Sequence, residues 1–328
     1  MPDQLLFAME VALNGLMAGV MYALVALGFV LIFKASGIFN YAQGVMALFA
    51  AMTLVGIQNG QVPFAHLINA IFGTKIHHFG WHVPALLAII LTVIVMAVFA
   101  WAVNKYILRH LVNQEPIILF MATIGLAYFL EGVADLMWGS EIKKLDVGLP
   151  QGINDTIDRV TFDAFGYGFF IDNLDIVATV IAALLVTALV LFSQYTKEGR
   201  ALRAVADDHQ AALSVGISLN FIWVLVWTIA GFVALVAGIM WGAKSGVQFS
   251  LSLIALKALP VLMLGGFTSI PGAIVGGLII GVGEKLFEFA IGPMVGGATE
   301  NWFAYVLALI FLVFRPQGLF GEKIIERV

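Results

Sequence analysis

The chain has 328 residues, 62% of them apolar and only 11% charged, with a formal net charge of -4. Soluble domains carry roughly 25% charged and 45–50% apolar residues, so this composition excludes a water-soluble enzyme and a disordered chain, and it offers no basic footprint for nucleic acid. With no cysteine present, disulfides, thiolate metal sites, iron–sulfur clusters and cysteine catalysis are excluded as well.

A bilayer core takes about 20 apolar residues per helix. Nine segments approach that pattern: Leu5–Phe33, Ile38–Ile57, Val83–Val103, Ile117–Trp138, Leu174–Phe192, Phe221–Trp241, Leu251–Gly265, Ala273–Ile291 and Trp302–Phe314. The fold expected is all-α, a polytopic membrane helix bundle of about eight or nine spans, forming one transmembrane domain over residues 1–328. The first segment exceeds one perpendicular span, so it tilts or lays its first turn along the interface. Asp3 and Glu10 precede the first basic residue, Lys34. A secretory signal wants a basic leader, so the first segment is expected to be retained.

Basic residues in the loops set orientation. With the N-terminus outside and nine alternating spans, the inner side holds Lys34, Lys105, Arg109, Lys197, Arg200, Arg203, Arg315, Lys323 and Arg327. The outer side holds Lys75, Lys143, Lys144, Arg159 and Lys244. Nine against five favours an outer N-terminus and a cytoplasmic C-terminus; eight or ten spans would reverse the first. Residues 139–173 then form an extracytoplasmic loop rich in acidic residues, and the outer connection Gln58–His82 carries four of the six histidines.

Two regions place glycine-rich interruptions between apolar stretches. One runs from Gly28 to Gly44 and includes Asn40, Tyr41 and Gln43. The other runs from Leu256 to Ala273 and includes Lys257, Gly265, Gly266, Ser269 and Pro271. Backbone freed in lipid needs new partners, so such breaks survive where they line a polar path or are buried in protein. Paired breaks in two halves point to a substrate route and a weak internal repeat. The competing reading is a plain connecting turn, and Asn40 then belongs to a gate at headgroup level near Lys34.

Lys257 lies inside its segment, where charge costs at least about 2.5–3.5 kcal/mol. Glu131 and Asp135 are candidate partners. Glu284 and Glu288 share a helix face at i, i+4 beside Lys285, and snorkelling to the interface is the default for them. The pairs Gly15/Gly19, Gly238/Gly242, Gly272/Gly276 and Gly277/Gly281 favour close helix contacts.

The inner connection, residues 194–218, is rich in Ala and Leu and so prone to form a helix. Leu202, Val205, His209 and Ala212 fall on one face of a single helix, charged by Arg200, Arg203, Asp207 and Asp208 and stopped at Gly216. Such an amphipathic helix docks into a groove on a partner or rests on lipid headgroups. Weaker signals include Gly238–Ser245, which fails as a phosphate loop because Ala243 separates glycine from Lys244. His77, His78 and His82 as metal ligands, and Asn154-Asp-Thr156 as a glycosylation acceptor, both have commonplace explanations.

Taken in order, Gly19-Val-Met-Tyr-Ala-Leu24, Asn40-Tyr-Ala-Gln-Gly44, Gly199-Arg-Ala-Leu-Arg-Ala204, Ala206-Asp-Asp208, Gly216-Ile217, Lys257-Ala258, Gly265-Gly266, Ser269-Ile-Pro-Gly-Ala273 and Arg315-Pro-Gln-Gly-Leu-Phe-Gly321 resemble the branched-chain (hydrophobic) amino acid type of ABC importer permease over nearly the whole length. The resemblance implies an inner-membrane subunit paired with a homologous permease, as a hetero- or homodimer. Two cytoplasmic ATP-binding subunits would carry ATP and Mg, with no cofactor and no metal on this chain, and an extracytoplasmic solute-binding protein would deliver the solute. The segment around Arg200–Gly216 would be the coupling helix. The family often places an acidic residue after the Asn-x-Ala-x-Gly run, where this chain has Val45, which implies a less cationic, more hydrophobic or aromatic solute. The rival readings are an ion-coupled secondary transporter using Lys257 and a membrane enzyme.

Overall fold

In lipid every backbone amide must find its partner within the protein, and a helix achieves this inside one segment. The computed structural model describes residues 2–75, 77–111 and 114–321, without the side chains of residues 2, 3, 66 and 209. Lys323 and Arg327, counted for orientation, and the side chains of Asp3 and His209 lie outside the described residues. Among the described residues no named strand forms, only three isolated bridges.

Thirteen α-helices are described, and nine of them correspond to the nine apolar segments: α1 (Pro2–Ser36), α2 (Gln43–Gln58), α4 (Ala85–Tyr106), α5 (Pro116–Trp138), α7 (Asn173–Tyr195), α10 (Leu219–Ser245), α11 (Ile254–Gly265), α12 (Ile270–Val295) and α13 (Phe303–Phe314). Five are long and apolar enough to cross a membrane, or up to six if the α11–α12 pair, bent by 113° at its junction, is taken as one span. α2 and α13 are shorter apolar helices. The loops carry α3 (Ala65–Phe72), α6 (Asp155–Phe165), α8 (Lys197–Asp207) and α9 (His209–Ser214). The protein is thus an all-α polytopic membrane bundle.

The chain divides into two compact units. The first comprises Met1–Val30, Leu149–Val190 and Leu256–Val328; the second comprises Leu31–Gly148 and Leu191–Ala255. One glycine-rich interruption lies in each, residues 37–42 in the second unit and 266–269 in the first.

In the first unit, α1 and α12 cross on glycines. A Cβ at Gly15 would stand 2.8 Å from the Gly281 carbonyl, and one at Gly277 would stand 2.5 Å from the Gly19 carbonyl. Small residues let two backbones touch in lipid, where packing rather than hydrophobicity drives association. The α11–α12 bend packs Gly265 on Gly272 in the same way. Ser269 Oγ accepts the Gly272 N–H at 3.1 Å, and Pro271 occupies the first turn of α12, the usual chemistry of a helix start. The C-terminal carbonyls of α11 are taken by the Leu319 and Phe320 amides, so the Arg315–Gly321 run closes this turn. In the loop before α7, Tyr167 donates to Glu10 Oε2 at 2.7 Å. That bond to a carboxylate is the main cause pushing the phenol up to about 12.

In the second unit, α2 is central. Every residue from Gln43 to Gly56 is buried, and α4, α5 and α10 pack around it. A helix apolar on all sides belongs in such a place. Gly238 of α10 lies against the Ala47 carbonyl, and Gly56 lies under the Trp138 ring, whose Nε1 donates to Thr53 Oγ1 at 3.2 Å. Beyond α5, Lys143 Nζ donates to Gln61 Oε1 and the Trp138 carbonyl, both at 2.6 Å. Burial pulls this lysine down to about 8, against the opposing effect of Glu141.

The structure departs from three of the expectations above. The inner connection is not one helix: α8 ends at Asp207, Asp208 adopts an extended backbone, and α9 restarts behind it. Asp208 Oδ1 accepts the amides of Gln210 and Ala211, and such N-capping favours a new helix start over continuation. The partner of Lys257 is neither Glu131 nor Asp135 but Glu284. Nor does Glu284 snorkel, since it is 1% exposed.

Candidate functional site

The break between α1 and α2 exposes backbone groups, and the surrounding residues take up most of them. Asn40 and Gln43 are fully buried. Asn40 Oδ1 accepts the Ala42 amide at 3.2 Å, closing a local turn that starts α2, and its Nδ2 donates to Gln43 Oε1 at 3.4 Å. Thr123 of α5 accepts the Tyr41 amide at 3.1 Å, and its hydroxyl lies within reach of the Phe39 and Phe120 carbonyls. Tyr41 is 37% exposed and sets its ring edge against Phe120. A Cβ on Gly44 would collide with the Ser252 carbonyl and stand 2.6 Å from the Ala255 Cβ, so only glycine allows this approach.

Depth follows from Gln43. Its Nε2 donates to the Ala230 carbonyl at 3.3 Å. Ala230 is roughly 17 Å from the start of α10 and roughly 22 Å from its end, at 1.5 Å per residue. The polar break therefore lies level with the middle of α10, a helix long and apolar enough to cross a membrane.

In the first unit, Lys257 Nζ meets Glu284 Oε1 at 2.5 Å. Tyr22 donates to the same oxygen at 3.4 Å, and Lys257 Nζ also lies 5.5 Å from the Tyr22 ring centroid. Three helices are tied by this cluster. Glu284 Oε2 has no hydrogen-bond partner among the described residues. Next along α12, Lys285 pairs with Glu300 at 2.7 Å, and Glu288 accepts the amide and hydroxyl of Thr299. Gly265, Gly266, Ser269 and Pro271 lie in the α11–α12 turn, where Gly266 has φ 103° and packs against Gly318 and Gly321.

The inner connection presents a different surface. Leu202 and Val205 are buried and α8 packs on α10, while Arg200, Asp207 and Asp208 are exposed and Arg203 is half-buried. Thr196 caps α8 by accepting the Gly199 amide at 2.9 Å. Gly216, at φ 86°, turns the chain toward α10. Among the described residues no group of three His, Cys, Asp or Glu is placed to hold a metal. Asn154 is engaged as the cap of α6 and donates to Asn173 Oδ1 at 2.7 Å.

Sequence reasoning missed Thr123, because a threonine in an apolar helix carries no distinguishing pattern. It also missed the inward turn of Glu284, which the i, i+4 spacing with Glu288 had pointed toward the interface.

A family model described as "Branched-chain amino acid transport system / permease component" matches residues 11–315. The chain is 30% identical over 325 residues to the high-affinity branched-chain amino acid transport system permease protein BraD of Pseudomonas aeruginosa, covering 96% of each. It is 26% identical over 339 residues to the corresponding permease LivH of Escherichia coli, covering 100% of each. It is also 24% identical over 302 residues to the fructose import permease protein FruG of Bifidobacterium longum, covering 88% of this chain and 82% of that protein. With a polytopic helical bundle and this match over nearly its whole length, the chain belongs to the permease components of branched-chain amino acid transport systems and is a membrane subunit of an ABC importer.

Proposed function

We propose that this permease carries a small hydrophobic solute inward, a branched-chain or other amino acid or a related amide or aromatic acid, past the polar break at Asn40, Tyr41, Gln43 and Gly44. The observation that supports the reading is the Gln43–Ala230 hydrogen bond, which sets the break near the middle of α10. The buried amides of Asn40 and Gln43 hold the break in shape without placing a charge beside the path, the exposed Tyr41 is the side chain left to meet a solute, and Val45 beside them suits a solute with little need of a carboxylate. In the first unit, Lys257 and the α11–α12 turn of Gly265, Gly266, Ser269 and Pro271 are assigned to the solute path on the strength of their own interruption.

In this reading the chain does not hydrolyse ATP. Two cytoplasmic ATP-binding subunits hold ATP and Mg, a second permease copy or homologue completes the pore, and an extracytoplasmic binding protein delivers the solute. The exposed Arg200, Asp207 and Asp208, with Arg203 and the Gly216 turn, receive the ATPases. Closure of the ATPases moves α8, and its buried Leu202 and Val205 pass the movement to α10. The N-terminus then lies outside and the C-terminus inside.

The test is uptake of labelled leucine by the complete complex, with its binding protein, in liposomes. ATP-dependent accumulation is expected, falling at least ten-fold in Gln43→Leu with ATPase association unchanged. Accumulation by the chain alone on an ion gradient would replace this reading with ion-coupled secondary transport.

A further inference from the structure

A cleft of about 520 Å³ opens in the first unit between the first turns of α1 and the last turns of α12. Its apolar wall is Phe7, Phe289 and Pro293, with the two phenyl rings edge to face at 5.2 Å. Its polar side is Lys285, Glu288 and Glu300. Lys285 and Glu300 neutralise each other at 2.7 Å, which leaves Glu288 as the excess charge. Glycine clears the floor beneath that carboxylate: a Cβ at Gly292 would stand 2.9 Å from Glu288 Oε1, and one at Gly297 would stand 3.5 Å from it.

The position matters as much as the chemistry. α1 has 35 residues, about 52 Å at 1.5 Å per residue, against a hydrocarbon core of about 30 Å. A helix that long overshoots the core by about 22 Å, so part of α1 lies outside the hydrocarbon, and the cleft is at one of its two ends. Leu5, Met294 and Val295 beside it are strongly exposed, as suits side chains that meet acyl chains.

We propose that this cleft binds the primary ammonium headgroup of a phospholipid such as phosphatidylethanolamine, with Glu288 taking the ammonium and the Phe7–Phe289 wall taking the start of an acyl chain. One excess carboxylate selects an ammonium over an anionic head, and charge-assisted N–H bonds prefer a primary ammonium to a quaternary one. The site is independent of the solute and of the direction of transport.

The test is native mass spectrometry of the purified full chain with equal amounts of phosphatidylethanolamine, phosphatidylglycerol and phosphatidylcholine. Phosphatidylethanolamine adducts should exceed each of the others at least three-fold, and Glu288→Gln should abolish that preference. Should Glu288→Gln fail to fold, Glu300→Gln, in a pair that is about one-third exposed, should shift the preference toward phosphatidylglycerol. Equal adducts of the three lipids, or an unchanged preference in whichever variant folds, overturn the proposal. Displacement of the lipid by millimolar L-leucine also overturns it, because the ammonium recognised would then be that of a free amino acid.

Discussion

Lys257 Nζ lies 2.5 Å from Glu284 Oε1, and the carboxylate is almost wholly buried while the lysine side chain stays 29% exposed. Taking one member of a buried pair away strands the other, which costs about 3–5 kcal/mol, whereas replacing both with apolar residues is often neutral. The part-exposed lysine places this pair at the lower end. Lys257→Met alone should lower the thermal midpoint in detergent, Glu284→Leu alone should lower it as well, and the double variant should recover most of the loss. Equal losses in the double variant and the sum of the singles would remove the pair from the architecture of the first unit. Uptake in the double variant then separates a structural pair from one needed by the solute.

The glycine crossing of α1 and α12 gives a second contrast. Adding side chains where backbones touch costs typically 1–3 kcal/mol. Gly277→Leu should therefore destabilise the protein by about that much, since even a Cβ there meets the Gly19 carbonyl at 2.5 Å and the Ala23 Cβ at 2.8 Å. Gly125→Ala on α5 meets nothing within 4 Å and should be neutral or stabilising by about 0.5 kcal/mol, because alanine restricts the unfolded chain more than glycine does. Melting curves followed by size-exclusion recovery distinguish the two.

On α8, exposure separates docking from seating. Arg200→Glu changes an exposed charge and should weaken co-purification of the ATP-binding subunits several-fold while the permease stays folded. Leu202→Asp places a carboxylate at a position 5% exposed and should unseat the helix, lowering the midpoint as well as the association. The chain has no native cysteine, so a single cysteine at position 203 also reports its side of the membrane by labelling. External labelling would reverse the proposed orientation.

The apolar segments were legible because lipid demands long uninterrupted apolar runs, and all nine correspond to helices. The break at Asn40 was legible from its glycines and amides, but its depth was not, since depth rests on the Gln43 contact with a helix far along the chain. Glu284 was misjudged for a related reason. Apart from Glu284, Lys285 and Glu288, α12 is apolar on every side, so periodicity marks no inner face, and the partner of Glu284 lies beyond a 113° bend. The break at Asp208 had a local signal, an Asp able to cap, but the Ala- and Leu-rich run around it argued for continuity. Nothing local announced that the Arg315–Gly321 run closes the α11 carbonyls.

Lys143 supplies a pH dependence whose sign is fixed. Its folded value is about 8 against an ordinary 10.5, so between those values the unfolded chain holds a proton that the folded chain has released. Stability therefore rises with pH across that window, and the penalty is fully present below pH 8. Lys143→Met removes the titration together with the bonds to Gln61 and the Trp138 carbonyl. Whatever the fixed offset between the two proteins, the wild-type midpoint should climb relative to the variant from pH 8 to about pH 10.5. A constant difference across that range would mean that Lys143 keeps its proton in the folded protein, with its bonds to Gln61 and Trp138 made by the ammonium form.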